Sequence, residues 1–306
     1  RDISALLKDV YKARSAVVVP GSGTFGMEAV ARQFANREKV LIIRNGWFSY
    51  RWSQILDMGQ LAARTTVLKA RPIAESARSP WAPPPIDEVQ AAIARDQPDL
   101  VFAPHVETAS GIVLPDDYLE RVARAVHAHG GLFVLDCVAS GALWVDMRAI
   151  GVDVLLSAPQ KAWSASPCSG LVMLGSAALR RLEQTQSSSF ALDLRKWLQI
   201  MQAYEGGGHA YHATMPTDAL RMFRDAMQET VAQGLDPLRE RQFALGRSVR
   251  STLAKHGFPS VAAPGFEAPG VVVSYTDDPQ ISSGARFAAA GVQSAAGVPL
   301  MCDEPA

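Results

Sequence analysis

Lys161 stands just past an apolar run, Val154-Leu155-Leu156-Ser157, in a segment, Ser157-Ala158-Pro159-Gln160-Lys161-Ala162-Trp163, with no other charge. A lysine so placed can lose its proton near neutral pH, through burial and nearby cations, and then attack a carbonyl to form an imine. Asp136 closes a second apolar run, Leu132-Phe133-Val134-Leu135. In open α/β sheets ligands bind at the carboxyl ends of strands, where a carboxylate can hold a protonated ring nitrogen. A third segment, Pro20-Gly21-Ser22-Gly23-Thr24-Phe25-Gly26, joins an apolar run to a helical pattern. Glycines there let the backbone approach an anion, and a helix start offers free N–H groups at the positive end of its dipole. Ser22 and Thr24 add hydroxyl donors, which completes the outline of a phosphate cradle.

Each feature alone has a plainer reading. A lone lysine is most often an exposed loop residue, and a lone strand-end aspartate is more often a helix cap or loop residue. The segment 21–26 also fits G-x-G-x-x-G, the mark of a dinucleotide site or merely of a tight strand–helix turn. A dinucleotide site asks for an acidic residue after the second strand, but Ile43 is followed by Arg44-Asn45-Gly46. Arg44 facing a 2′-phosphate keeps an NADP-binding oxidoreductase as a rival of a different class. The three features gain weight together, because cradle, aspartate and lysine come in that order on elements of one pattern.

That pattern alternates short apolar runs with helical periodicity. Strands are expected at residues 16–19, 40–43, 65–69, 100–103, 132–135, 152–157 and 170–174. Helices are expected at 27–34, 49–58, 86–95 and 116–129, the last ending at Gly130-Gly131. Continuous apolar strands between helices indicate an α/β fold, a mainly parallel sheet with helices on both faces. Residues 218–256 read as helical with a break near Gly234-Leu235-Asp236-Pro237, and residues 270–275 read as a strand. The expected division is a large domain over 1–235 and a smaller, incomplete α+β domain over 236–306.

Composition bounds the function. The 306 residues carry zero formal net charge, which gives no electrostatic case for nucleic acid. No apolar run approaches the roughly 20 residues of a membrane span. Cys137, Cys168 and Cys302 are far apart without metal-ligand spacing, so no metal site is expected and a reduced, cytoplasmic compartment is. The chain starts at Arg1 rather than methionine and stops at Ala306 just past an apolar stretch, so further residues are expected at both ends.

Six motifs in order carry a more specific likeness: Gly21-Ser22-Gly23-Thr24, Asn45-Gly46-Trp47-Phe48, His105-Val106-Glu107-Thr108-Ala109-Ser110-Gly111, Asp136-Cys137-Val138-Ala139-Ser140, Ser157-Ala158-Pro159-Gln160-Lys161 and Tyr211-His212-Ala213-Thr214-Met215-Pro216. In these the chain resembles the class V aminotransferases of pyridoxal-5′-phosphate (PLP) fold type I, the alanine/serine–glyoxylate group above all. The resemblance implies that Lys161 carries the cofactor as a Schiff base and that Asp136 pairs with its ring nitrogen. It implies that Ser22, Gly23, Thr24 and Gln160 hold the phosphate, with Thr108 near the ring hydroxyl or the phosphate side. Phe48 falls where the family stacks an aromatic on the ring, often a tryptophan, and the adjacent Trp47 is the alternative; Val138 packs on the opposite face. Tyr211 and Thr214 are implied to reach the phosphate of a neighbouring subunit, making a homodimer with shared sites. An arginine that clamps the substrate carboxylate is implied in a segment after residue 306.

The expected activity is transfer of an amino group from a small amino acid of the alanine or serine type to a 2-oxo acid such as glyoxylate or pyruvate. A 2-aminoethylphosphonate transaminase, or a lyase or desulfurase on the same fold, are the alternatives. None of the three cysteines stands out as a desulfurase nucleophile, and His105 after its strand reads as readily as a structural histidine as a substrate contact.

Overall fold

The computed structural model describes residues 1–294 and 296–302. Its strands run β1 Ser15–Pro20, β2 Lys39–Arg44, β3 Arg64–Lys69, β4 Arg71–Pro72, β5 Trp81–Ala82, β6 Leu100–Pro104, β7 Val106–Glu107, β8 Ile112–Val113, β9 Leu132–Asp136, β10 Val154–Ser157 and β11 Ser169–Leu174. Seven of them form one sheet in the order β1-β11-β10-β9-β6-β2-β3. Neighbouring pairs are parallel from β10 through β9, β6 and β2 to β3, whereas β11 runs antiparallel to both β10 and β1. The antiparallel member matches the block of sequence in which no helix separates Ser157 from Ser169.

The helices over the sheet begin with α1 Asp2–Val10, α2 Gly23–Phe34, α3 Trp47–Gly59, α4 Ile86–Asp96 and α5 Asp116–His127. They continue with α6 Met147–Ile150, α7 Ser176–Gln184, α8 Leu194–Glu205, α9 Thr217–Ala232 and α10 Leu235–Lys255, and two short turns, α11 Pro279–Ser282 and α12 Ala285–Ala289, follow. Alternation along each strand divides its side chains between two cores. Val101, Phe133, Leu135 and Leu155 face the layer of α4 and α5, with Val89, Ile93, Leu119 and Val122 against them. Phe102, Val134, Leu156 and Val172 face the layer of α2, α3 and α8, with Val30, Trp52 and Trp197 against them. Burying each such side chain contributes roughly 1.5–3 kcal/mol, so the central strands are rigid and their carboxyl ends are fixed points.

Seven of the eight expected strands exist within a residue or two. The strand expected at 270–275 does not form: Ser274 makes only an isolated bridge with Ser260. Helices α1, α7 and α8 had no expectation. Residues 303–306, at the end of the expected second domain, lie outside the described residues.

Candidate active site

Three strand ends and one helix start meet at the carboxyl end of the sheet. β1 ends at Pro20, the chain turns through Gly21, and α2 opens at Gly23 with Ser22 as an extended N-cap whose side chain makes no capping bond. The first amides of α2 therefore have no side-chain acceptor of their own. β9 delivers Asp136, and β10 ends at Ser157, four residues before Lys161. A cavity of about 190 Å³ lies between these points.

Nine of the sequence-selected residues line that cavity. Ser22, Gly23 and Thr24 form one wall, and Asp136, Gln160 and Lys161 come from the strand ends. Phe48, Thr108 and Val138 complete the set. Trp47 does not line it; its ring lies against Tyr50, at 6.5 Å between centroids. Lys161 also borders a second cavity of about 420 Å³, with Trp144, Glu229 and Gln242 on its walls.

Asp136 is 7% exposed and accepts one hydrogen bond at Oδ1, from the Val138 amide at 2.9 Å. Burial pushes its carboxyl up to about 6; the Val138 bond opposes this, Glu107 adds to it, and the Arg51 and Lys161 charges pull it down. A buried carboxylate with a single donor is an acceptor held ready for a cationic N–H.

Phe48 is positioned from below by a group that the motif reading did not single out. Glu107 is fully buried, yet its carboxylate is saturated: Oε1 accepts from the amides of Phe48 and Ala109, each at 3.1 Å, and Oε2 from the amide and hydroxyl of Ser49 at 2.9 and 2.7 Å. The negative charge sits at the N-terminus of α3, where the helix dipole favours it. Arg51, one turn further along α3, was also missed. It lines the cavity, donates from Nη1 to Thr24 Oγ1 at 3.0 Å, and holds its guanidinium carbon 5.0 Å from the Phe48 ring centroid. The signal available in the sequence was its spacing of three from Phe48, which puts both on one helix face.

Tyr211 and Thr214 are not among the residues around this cavity. Both are exposed, Tyr211 by 79%, in the loop between α8 and α9. His105 lies outside it as well, buried against Ser140 with Nδ1 to Oγ at 2.8 Å. Burial, then Arg239, lower its pKa to about 4, so at neutral pH the ring is uncharged. It borders a separate cleft of about 520 Å³ with Trp144, Arg239 and Glu267.

The rivals fare unevenly. Arg44 is buried, donates to Ser53 Oγ at 2.7 Å and lies over the Tyr50 ring, so it does not face the cradle as a 2′-phosphate contact would. The three cysteines are buried and unbridged, and burial raises the thiols of Cys137 and Cys168, the reverse of an activated nucleophile. Among the described residues no group of side chains could hold a metal ion, and no helix is long and apolar enough to cross a membrane.

The Aminotransferase class-V family profile matches residues 2–273. The chain belongs to the class V aminotransferase family. It is 30% identical over 273 residues to a 2-aminoethylphosphonate–pyruvate transaminase of Pseudomonas aeruginosa PAO1, covering 87% of this chain and 69% of that one. It is also 30% identical over 292 residues to 2-aminoethylphosphonate–pyruvate transaminase 2 of Paraburkholderia xenovorans, covering 93% and 74%. In fold it is similar to an alanine–glyoxylate aminotransferase from Nostoc sp., with TM-score 0.78 at 22% identity, covering 92% of this chain and 73% of that one. This class V aminotransferase thus has the fold type I architecture that its sequence resembles, and membership implies PLP as cofactor.

The residues present fit that cofactor. The cradle is narrow, since a Cβ on Gly23 would lie 3.1 Å from a Val138 methyl, and the α2 amides beside it lack a capping side chain. Gln160 lines the cavity and carries an amide Nε2 that can donate to an anion there. Phe48 and Val138 offer apolar faces and Asp136 a buried acceptor. These are the donors, faces and acceptor that a phosphorylated, basic heteroaromatic ring requires.

Proposed function

We propose that this aminotransferase moves an amino group from a small primary amine, an alanine- or serine-type amino acid, to a 2-oxo acid such as pyruvate or glyoxylate. The observation that carries the reading is the convergence of Lys161, Asp136 and the Ser22–Thr24 turn on one cavity. PLP, when bound, supplies a reactive carbonyl and an electron-accepting ring. Lys161 is the amine that would hold that carbonyl, and its freed amine would be the base and acid that moves the substrate's α-proton. Asp136 would keep the ring nitrogen protonated, and Ser22, Gly23, Thr24 and Gln160 would hold the phosphate. Thr108 would reach the ring hydroxyl, while Phe48 and Val138 fix the ring plane. Tyr211 and Thr214 would complete the phosphate site of a second subunit, in a homodimer. Supporting this are their exposure and their place in a loop whose own anchor, His212, is held by Phe190 and Trp197.

Residues 1–235 would form the cofactor-holding domain and 236–306 the second unit, divided where Gly234 takes a φ of 83° between α9 and α10. The unbridged cysteines suit a cytoplasmic setting. A second donor, 2-aminoethylphosphonate with pyruvate as acceptor, is favoured by the relatives named above. Borohydride reduction of the PLP-loaded enzyme followed by peptide mass spectrometry tests the core of this reading. The phosphopyridoxyl mass is expected on Lys161, and a label on Lys39, Lys69 or Lys255 instead, or none, would overturn it. Parallel assays with alanine, serine and 2-aminoethylphosphonate against pyruvate and glyoxylate then choose the pair.

A further inference from the structure

We propose that Arg51 is a positioning residue of the cofactor site: it fixes the Thr24 hydroxyl so that its proton faces the cofactor phosphate, and it adds a standing positive charge beside that phosphate. The inference rests on the reading of Ser22–Thr24 as the phosphate cradle and goes beyond it by assigning a cation that the cradle otherwise lacks.

The geometry is specific. A threonine hydroxyl has one proton and two lone pairs. Arg51 Nη1 donates to Thr24 Oγ1 at 3.0 Å, which occupies a lone pair and leaves the proton to point elsewhere. Thr24 lines the cavity, and no hydrogen bond donated by its hydroxyl is found among the described residues. The free direction is therefore the one a phosphate oxygen would use.

The charge is also available. Among the described residues no carboxylate lies within ion-pair distance of Arg51. Asp136, on the same cavity, acts on Arg51 only through space, so the guanidinium keeps donors for an anion from outside the chain. The guanidinium carbon of the same group lies over the Phe48 ring, 5.0 Å from its centroid. One side chain thereby links the aromatic face to the phosphate end. Lysine has neither the planar fork nor the stacking face. Arg51 is itself held in place, because α3 is anchored at its first turn by the saturated Glu107 carboxylate.

The test compares two ligands that differ only in the phosphate. Apoprotein is titrated with PLP and with pyridoxal, following tryptophan fluorescence, for wild type, Arg51→Gln, Arg51→Lys, Thr24→Ala and the Arg51→Gln/Thr24→Ala pair. Arg51→Gln is expected to weaken PLP about tenfold or more, the size of a lost charge-assisted bond, and pyridoxal by less than about threefold. Arg51→Lys should regain part of the loss through charge alone. In the Thr24→Ala background, Arg51→Gln should cost clearly less than in wild type, because the two share one bond. Equal loss for PLP and pyridoxal would overturn the proposal and leave Arg51 as a support for Phe48; so would additive effects of the two substitutions. Should Arg51→Gln fail to fold, Arg51→Lys and Thr24→Ala still decide, since a PLP-to-pyridoxal preference unchanged in both overturns the proposal. Wild type that binds neither ligand would instead refute the cofactor reading itself, and the two failures are told apart by that control.

Discussion

The cavity and the loop between α8 and α9 solve opposite problems. Around the cavity every element is tied down within the chain: Glu107 saturated by four donors, Asp136 held by the Val138 amide, Arg51 bonded to Thr24. The loop carries Gly206-Gly207-Gly208 and presents Tyr211 and Thr214 to solvent, while His212 is held by Phe190 and Trp197. Preorganised donors cost no reordering when a ligand arrives, whereas an exposed tyrosine and threonine must gain a partner to do work. On the proposed reading the site has two parts, one built by burial and one that docking of a second subunit would supply. Substitutions on the two sides should then fail in different ways.

The largest effect is expected at Lys161. Lys161→Ala should fold, keep part of its PLP affinity and lose transamination by about a thousandfold or more, because on the proposed reading one amine serves as both attachment point and proton carrier. The cradle and Asp136 do not depend on it. Loss of all PLP binding in this variant, at unchanged thermal stability, would show that the preorganised side is not self-sufficient.

Asp136 separates folding from function. Its carboxyl sits near 6 in the fold against an ordinary value of 3.8, because burial penalises the ionised form. The folded apoprotein thus binds this proton more tightly than the unfolded chain does. The sign follows: Asp136 costs nothing below about pH 4, and its cost grows between about pH 4 and 6 and stays in full above. Asp136→Asn should accordingly stabilise the apoprotein at pH 8, by up to roughly 3 kcal/mol, and have no such effect at pH 4. In the loaded enzyme the sign reverses, since a ring N–H then compensates the charge. PLP affinity should fall by about 1.5–3 kcal/mol, and turnover with it. Melting curves of both forms at two pH values check this; an apoprotein destabilised at pH 8 by Asp136→Asn would show that the carboxylate is already satisfied.

How much of this was legible in the sequence depends on the kind of residue. Strand-end positions were: continuous apolar runs fix β9 and β10, and Asp136 and Lys161 follow at once. Helix faces were less so. Arg51 reads as one more charged residue on an amphipathic helix until the fold brings Thr24, 27 residues earlier, within 3.0 Å. Glu107 looks like a polar loop residue, because three of its four donors, from Phe48 and Ser49, come from tertiary contact rather than from spacing. The false strand at 270–275 has the opposite cause. Gly270-Val271-Val272-Val273 has strong local β-propensity, but outside one bridge it finds no neighbouring strand among the described residues, and a lone strand is not stable.

The docking side is tested by dilution. Thr214→Ala and Tyr211→Phe are expected to weaken PLP retention about three- to tenfold each, the scale of one hydrogen bond, while leaving the melting temperature of the apoprotein within a degree or two. Both residues are exposed within the protomer, so their removal leaves no cavity and no orphaned partner there. Light scattering alongside activity gives the sharper result: activity should fall as dimer dissociates. A fully active monomer would remove the partner subunit from the site.

The smallest effect distinguishes two adjacent aromatics on the preorganised side. Phe48 borders the cavity and Trp47 does not, although the residues are consecutive. Neighbours on a helix point about 100° apart, so only one of a consecutive pair can face a given wall. Glu107 selects which: by accepting the amides of Phe48 and Ser49 it fixes the rotation of the first turn of α3, and Arg51, on the same face, closes over the Phe48 ring. Phe48→Leu keeps apolar bulk and removes only the flat stacking face, worth about 0.5–1.5 kcal/mol. PLP and pyridoxal should therefore weaken alike, by about two- to tenfold, in contrast with the phosphate-selective loss expected on Arg51→Gln. Trp47→Leu should leave both affinities within about twofold, since its contact is with Tyr50. If Trp47→Leu were the damaging change, the first turn of α3 would have to be rotated by roughly one residue in the loaded enzyme. Glu107 would then have to release at least one of its amides, and the cavity would not be the rigid half of the site.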